Sequence, residues 1–202
     1  EIMPSLVGSE MCIRDSDITM EISYLFLAEG FEEVEALTVV DMMRRAGMEI
    51  RTVSITDEKV VSGAHGIPVS ADMLLKEVDF GTAEWLILPG GMPGSKNLGG
   101  CARLVDALKV HAAAEKPLAA ICAAPFVLGV NGMLENRAAT CYPGFEGMLH
   151  GAVVSGRMVE IDRNIVTGKG PAAAMDFASA IIGMSKGGEA AEGVRRGMLL
   201  DI

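Results

Sequence analysis

The sequence predicts a doubly wound α/β domain, a mostly parallel sheet with helices on both faces and a small β-ribbon. Three observations predict it. Short, continuous apolar runs of strand length have the composition of strands covered on both faces. These runs alternate with segments of helical period, the signature of βαβ units in a parallel sheet. No internal repeat or low-complexity linker interrupts the 202 residues, of which 50% are hydrophobic, so one sizeable core accounts for the chain.

Residues 22–28 (ISYLFLA) read as the first strand and end at Glu29-Gly30-Phe31. From Glu32 the period lengthens. Val34, Leu37, Val40 and Met42 or Met43 mark one face predicted to be buried, acids fill the first turn, and Arg44-Arg45 with Gly47 close the last. Residues 49–55 complete a right-handed βαβ unit. Residues 56–70 are turn-rich and predict a small excursion such as a hairpin, with Leu74-Leu75 in a short helix after it. Residues 85–88 (WLIL) are another buried strand running straight into Pro89-Gly90-Gly91-Met92-Pro93-Gly94. A helix over 102–114 follows, then a strand and helix over 116–128. Residues 138–142 are a fifth strand, and Val153-Val154 and Met158-Val159-Glu160, on either side of Ser155-Gly156-Arg157, predict an antiparallel ribbon. Residues 165–167 are a last short strand, 168–171 open a long apolar helix to about Met184, and 189–200 give a final amphipathic helix.

Composition excludes several function classes. The formal net charge of -10, with no Lys/Arg run longer than a pair, argues against binding a phosphate backbone, so no nucleic-acid partner is expected. No apolar run approaches the roughly 20 residues of a membrane-spanning helix. Four cysteines at irregular spacing and three histidines give neither a disulfide framework nor a zinc pattern, which fits a reducing cytoplasm. The glycine turn lacks the spacing of a phosphate loop or a dinucleotide fingerprint, so no nucleotide cofactor and no metal are expected. Residues 1–19 show neither strand nor helix period and resemble translated sequencing-adapter read-through; they are expected to be a poorly packed, non-native extension, with the domain spanning 20–202 from Met20.

The chemistry concentrates at the ends of the strands. Cys122 falls where the apolar run 117–121 turns into a helix whose first turn contains Pro125, tolerated there because first-turn N–H groups have no intrahelical partner. Ala120, Ala123 and Ala124 supply the small neighbours that a sharp strand-to-helix turn needs, as glycines do in a nucleophile elbow. A free cysteine in an apolar run ordinarily behaves as a small hydrophobe. Its place at the turn, where the helix dipole and unpaired N–H groups favour thiolate, makes Cys122 a candidate nucleophile. In an open parallel sheet, ligands bind beyond the carboxyl ends of the strands, where the acids after the first strand, Gly90-Gly91 and Cys122 converge. Of Glu32, Glu33 and Glu35, two are expected to be a solvated helix start. Glu35, taken to share the face of Val34 and Leu37-Thr38, is expected to point inward, hold a proton and donate a hydrogen bond to Cys122 sulfur.

Five ordered motifs across residues 21–200 carry a resemblance: AEGFEEVEA (28–36), VDMMRRAG (40–47), LPGGMPGSKNL (88–98), AAICAAP (119–125) and GKGPAAAMDFA (168–178). Together they resemble the DJ-one/ThiJ/PfpI superfamily, in its DJ-one (protein deglycase) branch and of bacterial type. The resemblance implies a flavodoxin-like homodimer in which Cys122 is the nucleophile, Glu35 its protonated partner, and the Gly91 and Ala123 N–H groups the oxyanion or sulfinate cradle, with Gly90 and Tyr142 lining the same site. It implies cofactor-independent glyoxalase III or deglycase chemistry on methylglyoxal, glyoxal or their early glycation adducts. The alternative is an oxidative-stress sensor or chaperone acting through oxidation of the same cysteine. Two departures bear on this. The peptidase branch has histidine directly after the cysteine, where this chain has Ala123, and the animal deglycases have histidine before the proline, where this chain has Tyr142-Pro143; without a Cys-His-acid triad, peptidase activity is disfavoured. No residue speaks to the thiazole monophosphate biosynthesis attributed to some bacterial relatives. His65, His111 and His150 are expected in surface or structural roles. Cys101 and Cys141 are expected to be structural, with Cys141 near enough in sequence to Tyr142 to be weighed as a resolving thiol. The methionines at 42, 43, 184 and 198 suit either a dimer face or ordinary core.

Overall fold

In the computed structural model, which describes residues 21–200, seven strands form one sheet. They are β1 (Ile22–Leu27), β2 (Ile50–Ser54), β5 (Met73–Leu74), β6 (Ala83–Leu88), β7 (Leu118–Ile121), β10 (Val159–Asp162) and β11 (Ile165–Gly168). Their spatial order is β10-β11-β7-β6-β1-β2-β5. Every neighbouring pair is parallel except β10 and β11, which are antiparallel at one edge. From β1 the chain winds outward through β2 on one side and later through β6 on the other. The connection direction therefore switches between β1 and β6, and a crevice opens beyond their carboxyl ends.

Alternation along the strands sorts the core into two layers. Leu25, Leu27, Trp85, Ile87, Ile121 and Val166 face a layer built by α1 (Glu33–Arg45), α5 (Ala174–Lys186) and α6 (Gly188–Gly197). Tyr24, Phe26, Leu86, Leu88, Ala120 and Ile165 face the opposite layer, built by α2 (Gly94–Gly100), α3 (Ala102–Ala113) and α4 (Pro125–Val130). The turn-rich stretch holds the expected antiparallel hairpin, β3 (Val60–Ser62) with β4 (Pro68–Ser70). The expectation for residues 1–19 lies outside the described residues.

The structure corrects the sequence at five places. Helix α1 buries Glu33, Glu35, Ala36, Val39, Val40, Met42 and Met43, whereas Val34 and Leu37 are 53% and 41% exposed. Apolar residues sit on both sides of this helix, so periodicity alone chose the wrong phase. Glu35 does point inward, but on the face of Val39 and Met42, not of Val34. Residues 138–142 yield only β8 (Ala138–Ala139), which leaves the main sheet to pair in parallel with β9 (Val153–Val154). The antiparallel ribbon is β10 with β11, turned at Arg163 with φ 54, not a pairing across Ser155-Gly156-Arg157. Leu74 belongs to β5 and a 3-10 turn begins only at Leu75. Finally α2 forms despite Gly94, Gly99 and Gly100, glycines whose helix propensity masked it.

Candidate active site

Three backbone segments meet beyond the carboxyl ends of β1, β6 and β7. The loop after β1 turns at Gly30, φ 82, and lies against the turn after β6: Glu32 N–H donates to the Gly90 carbonyl at 2.9 Å and Gly94 N–H to the Gly30 carbonyl at 3.2 Å. Such contact between main chains requires missing side chains. A Cβ on Gly91, whose φ is 88, would overlap the Glu32 amide, and one on Gly94 would stand 2.6 Å from the Phe31 amide.

Cys122 joins β7 to α4 with φ 64, a left-handed conformation that costs a side-chain-bearing residue roughly 1–3 kcal/mol and persists only where the surroundings over-determine it. They do so here from both sides. Cys122 N–H donates to the Gly168 carbonyl at 2.8 Å, and the Cys122 carbonyl accepts from Tyr142 N–H at 2.8 Å. Ala123 and Ala124, both buried, leave room for the turn. The elbow aims the Cys122 side chain, 9% exposed, at the glycine turn and at Glu35.

Glu35 is completely buried. Its Oε2 accepts a 2.7 Å hydrogen bond from Gly90 N–H, and its Oε1 has no hydrogen-bond partner among the described residues. Burial raises its carboxyl from the ordinary 4.5 to about 7, with the Glu32 charge adding to the rise and the Gly90 N–H and Cys122 thiol opposing it. Cys122 is itself pushed up to about 12, first by burial and then by the charge and hydrogen bond of Glu35, against the lowering pull of the Gly91 and Ala123 N–H groups. The helix-terminus effect expected to favour thiolate is thus outweighed while Glu35 is ionised. A proton on Glu35 removes the repelling charge and turns the same contact into a donor, so the pair holds one proton far more readily than none. The Gly91 and Ala123 N–H groups, expected to cradle the sulfur, are the two backbone donors that pull its pKa down. Gly90 lies against both groups: its N–H is bonded to Glu35, and a Cβ there would stand 2.5 Å from Cys122 Cβ and 2.5 Å from Glu35 Oε2. Tyr142 stands at the rim, 47% exposed, with its ring over Gly170.

The remaining ionisable side chains divide cleanly. His111 is buried at the far end of the sheet, where its Nε2 lies 3.0 Å from the Glu84 carbonyl and 3.1 Å from the Pro117 carbonyl; two acceptors require a proton on that nitrogen. His150 lies in an exposed turn. Cys141 is buried and its thiol is pushed up to about 11 by burial and then by Glu146, which suits a structural role. Met42 and Met43 lie in the core and present no surface.

Glu33 is the residue that sequence reasoning missed. Expected in solvent, it is 4% exposed, with its carboxylate on His65 N–H at 2.8 Å and on His65 Nδ1 at 2.8 Å. Its partner is 32 residues away across a turn-rich segment, and no local pattern announces such a contact. Glu32, Glu33 and His65 place one ligand atom each within 4.8 Å of one another. The donors already on Glu33 and the positive end of α1 both work against a cation there.

Residues 23–184 match the DJ-1/PfpI family. Protein DJ-1 homolog B of Arabidopsis thaliana is 36% identical over 82% of this chain, which spans only 38% of that protein. The glutathione-independent glyoxalase DJR-1.2 of Caenorhabditis elegans is 31% identical over 80% of this chain and 86% of its own. The solved structure of oxidized DJ-1 from Toxoplasma gondii superposes with a TM-score of 0.86 and 34% identity, covering 90% of this chain and 99% of that one. The flavodoxin-like sheet, the five motifs and these matches agree, and the chain belongs to the DJ-1/PfpI family.

Proposed function

We propose that the protein is a cofactor-independent glyoxalase or deglycase-type enzyme that uses Cys122 as nucleophile on methylglyoxal, glyoxal or their early glycation adducts. The observation that carries this reading is the strained elbow holding Cys122 against a fully buried carboxyl. The name of the Caenorhabditis elegans relative supports it.

For methylglyoxal the steps balance without an outside oxidant. Glu35 takes the Cys122 thiol proton as the sulfur bonds to the aldehyde carbon and the carbonyl electron pair moves to oxygen, which the Gly91 and Ala123 N–H groups stabilise and Glu35 then protonates. Glu35, now a carboxylate, removes the hydrogen from that carbon and returns it to the neighbouring one, while the proton on the first carbon's oxygen passes to the oxygen of the second. The first carbon is oxidised to a thioester as the second is reduced to an alcohol. Water then releases lactate and restores the thiol. A carboxyl near 7 suits both directions of transfer at neutral pH. Tyr142 shapes the rim where the adduct leaves, and the pathway needs no metal, glutathione or nucleotide.

The test is loss of methylglyoxal with formation of lactate by protein starting at Met20, free of glutathione and metals, beside Cys122→Ser and Glu35→Ala. Activity in the parent and none in either variant is expected; activity that survives Cys122→Ser would sink the reading. A second reading, a sensor in which Cys122 is oxidised to a sulfinate held by the same donors, draws on the oxidized state of the Toxoplasma gondii relative. Selective oxidation of Cys122 by peroxide with no dicarbonyl turnover in the parent would favour it. The homodimer implied by the family also belongs to this proposal, with Val34 and Leu37 on the outer face of α1 as its apolar contacts. Among the described residues no helix is long and apolar enough to cross a membrane; residence in the cytoplasm is part of the proposal.

A further inference from the structure

We propose that Glu33 is a positioning residue, whose buried carboxylate clamps the turn of the β3–β4 hairpin onto the first turn of α1 and so holds Glu35 against Gly90 and Cys122. The inference rests on Cys122 and Glu35 being the reacting pair. A carboxylate at a helix N-terminus gains from the dipole while fully solvated, so the dipole does not explain why this one is buried. Its contacts do. Oε1 accepts from His65 N–H at 2.8 Å and from Ile67 N–H at 3.5 Å, and Oε2 pairs with His65 Nδ1 at 2.8 Å. These donors hold the carboxyl below its ordinary range despite burial. The hairpin comes this close only because residue 63 is glycine, since a Cβ there would overlap the Glu33 side chain.

The clamp closes a loop of main-chain contacts that ends at the reacting atoms. Gly30 N–H donates to the Ser62 carbonyl at 2.8 Å and Ala64 N–H to the Phe31 carbonyl at 2.8 Å, so the segment before α1 is bonded to the hairpin on one side. On the other side Glu32 N–H holds the Gly90 carbonyl at 2.9 Å, while Glu35 holds the Gly90 N–H at 2.7 Å. Gly90 is therefore gripped by both residues that flank Glu33 and its neighbour Val34 in one helical turn. The charged groups facing Glu35 are Glu32 and Cys122, and His65 faces Glu33 and Glu32. Release of Glu33 frees the turn that sets the Glu35–Gly90 distance, and admits water to a carboxyl that is otherwise dry.

Amide hydrogen exchange and thiol titration on the full chain test this. In Glu33→Ala the Gly90 amide should exchange at least about tenfold faster, with the amides of β1 and β6 unchanged. The inflection that Glu35 imposes on the pH profile of Cys122 alkylation by iodoacetamide should fall by about one pH unit. Glu33→Gln, which keeps the acceptor oxygen for the two backbone donors, should restore both to near the parent. If Glu33→Ala does not fold, Glu33→Asp, with charge kept and reach shortened, carries the same expectation. Unchanged Gly90 exchange and an unchanged inflection beside a lowered Tm would overturn the proposal, as would a Gln variant no better than Ala. Both readouts work whether or not the parent turns over a dicarbonyl, so failure of the clamp is distinguishable from failure of the enzymatic reading.

Discussion

Replacing Glu35 by Gln should make the protein more stable at alkaline pH while abolishing turnover. The folded carboxyl sits at about 7 against 4.5 for the ordinary group, because burial opposes its charge. A folded-state pKa above the unfolded one means that the folded protein binds the proton more tightly. The stability this contributes is complete below pH 4.5 and is lost as pH rises through about 7. At roughly 1.4 kcal/mol per pKa unit the loss comes to about 3 kcal/mol, a large part of the 5–15 kcal/mol typical of a domain. Glutamine has nearly the shape of the protonated acid and does not ionise. The difference in unfolding free energy between Glu35→Gln and the parent should therefore be near zero at pH 4.5, grow in favour of the variant up to pH 7–8, and level off at about 3 kcal/mol. Urea unfolding at fixed protein concentration across that range measures it, with concentration held constant because a dimer adds its own mass action. A flat difference from pH 4.5 to 8.5 would refute the reasoning, since it would mean that the native Glu35 carboxyl never paid for burial as a charge.

Other perturbations read other parts of the argument. Gly90→Ala puts a Cβ 2.5 Å from both Cys122 Cβ and Glu35 Oε2, so the turn must shift; dicarbonyl turnover should fall at least about a hundredfold with the circular dichroism of the fold retained. Cys141→Ser should leave turnover within about twofold, and mass spectrometry of peroxide-treated parent should show no Cys122–Cys141 link, because a buried thiol pushed up to about 11 is a poor attacking group. Val34→Glu with Leu37→Glu should convert a dimer to a monomer in analytical ultracentrifugation with the monomer still folded, as both side chains are exposed in the single chain. Trp85→Phe removes a donor that bonds Ser185 Oγ at 2.7 Å, which in turn donates to Glu84 at 2.5 Å, and should cost about 1–2 kcal/mol in the same urea assay.

How much of the fold was legible depends on whether an element is defined by its own residues or by its partners. The strands 22–28 and 85–88 are apolar throughout because the sheet is covered on both faces, and a run of Leu, Ile, Phe and Trp declares that without help. Helix α1 was legible as a helix and illegible in phase. Val34 and Leu37 are apolar, as are Val39, Val40, Met42 and Met43, and a helix with two apolar flanks does not say which of them meets the sheet. The short β8 and β9 were legible as strands but not as each other's partners, because two-residue strands have no period to set a register and a long loop separates them. In each case the missing information was the identity of a distant neighbour.

The candidate site divides along the same line: which groups meet was legible, and what surrounds them was not. Cys122 could be found because strain of the elbow kind must be prepared locally: Ala120, Ala123 and Ala124 keep the turn small, and Pro125 fixes the helix that follows. Gly90 and Gly91 could be found because close approach of main chains removes side chains, leaving glycines in sequence. Glu35 could be named as an acid near the sulfur, but the group that settles its proton is burial, together with an N–H supplied 55 residues later. The expected thiolate was inferred from the helix terminus alone, which the carboxylate and the dry surroundings outweigh. A local motif therefore identifies which atoms are brought together, and the tertiary environment decides where the proton sits between them. One proton shared by a buried acid–thiol pair is cheaper than two separate charges, so the environment, and not the motif, decides that the resting pair keeps it.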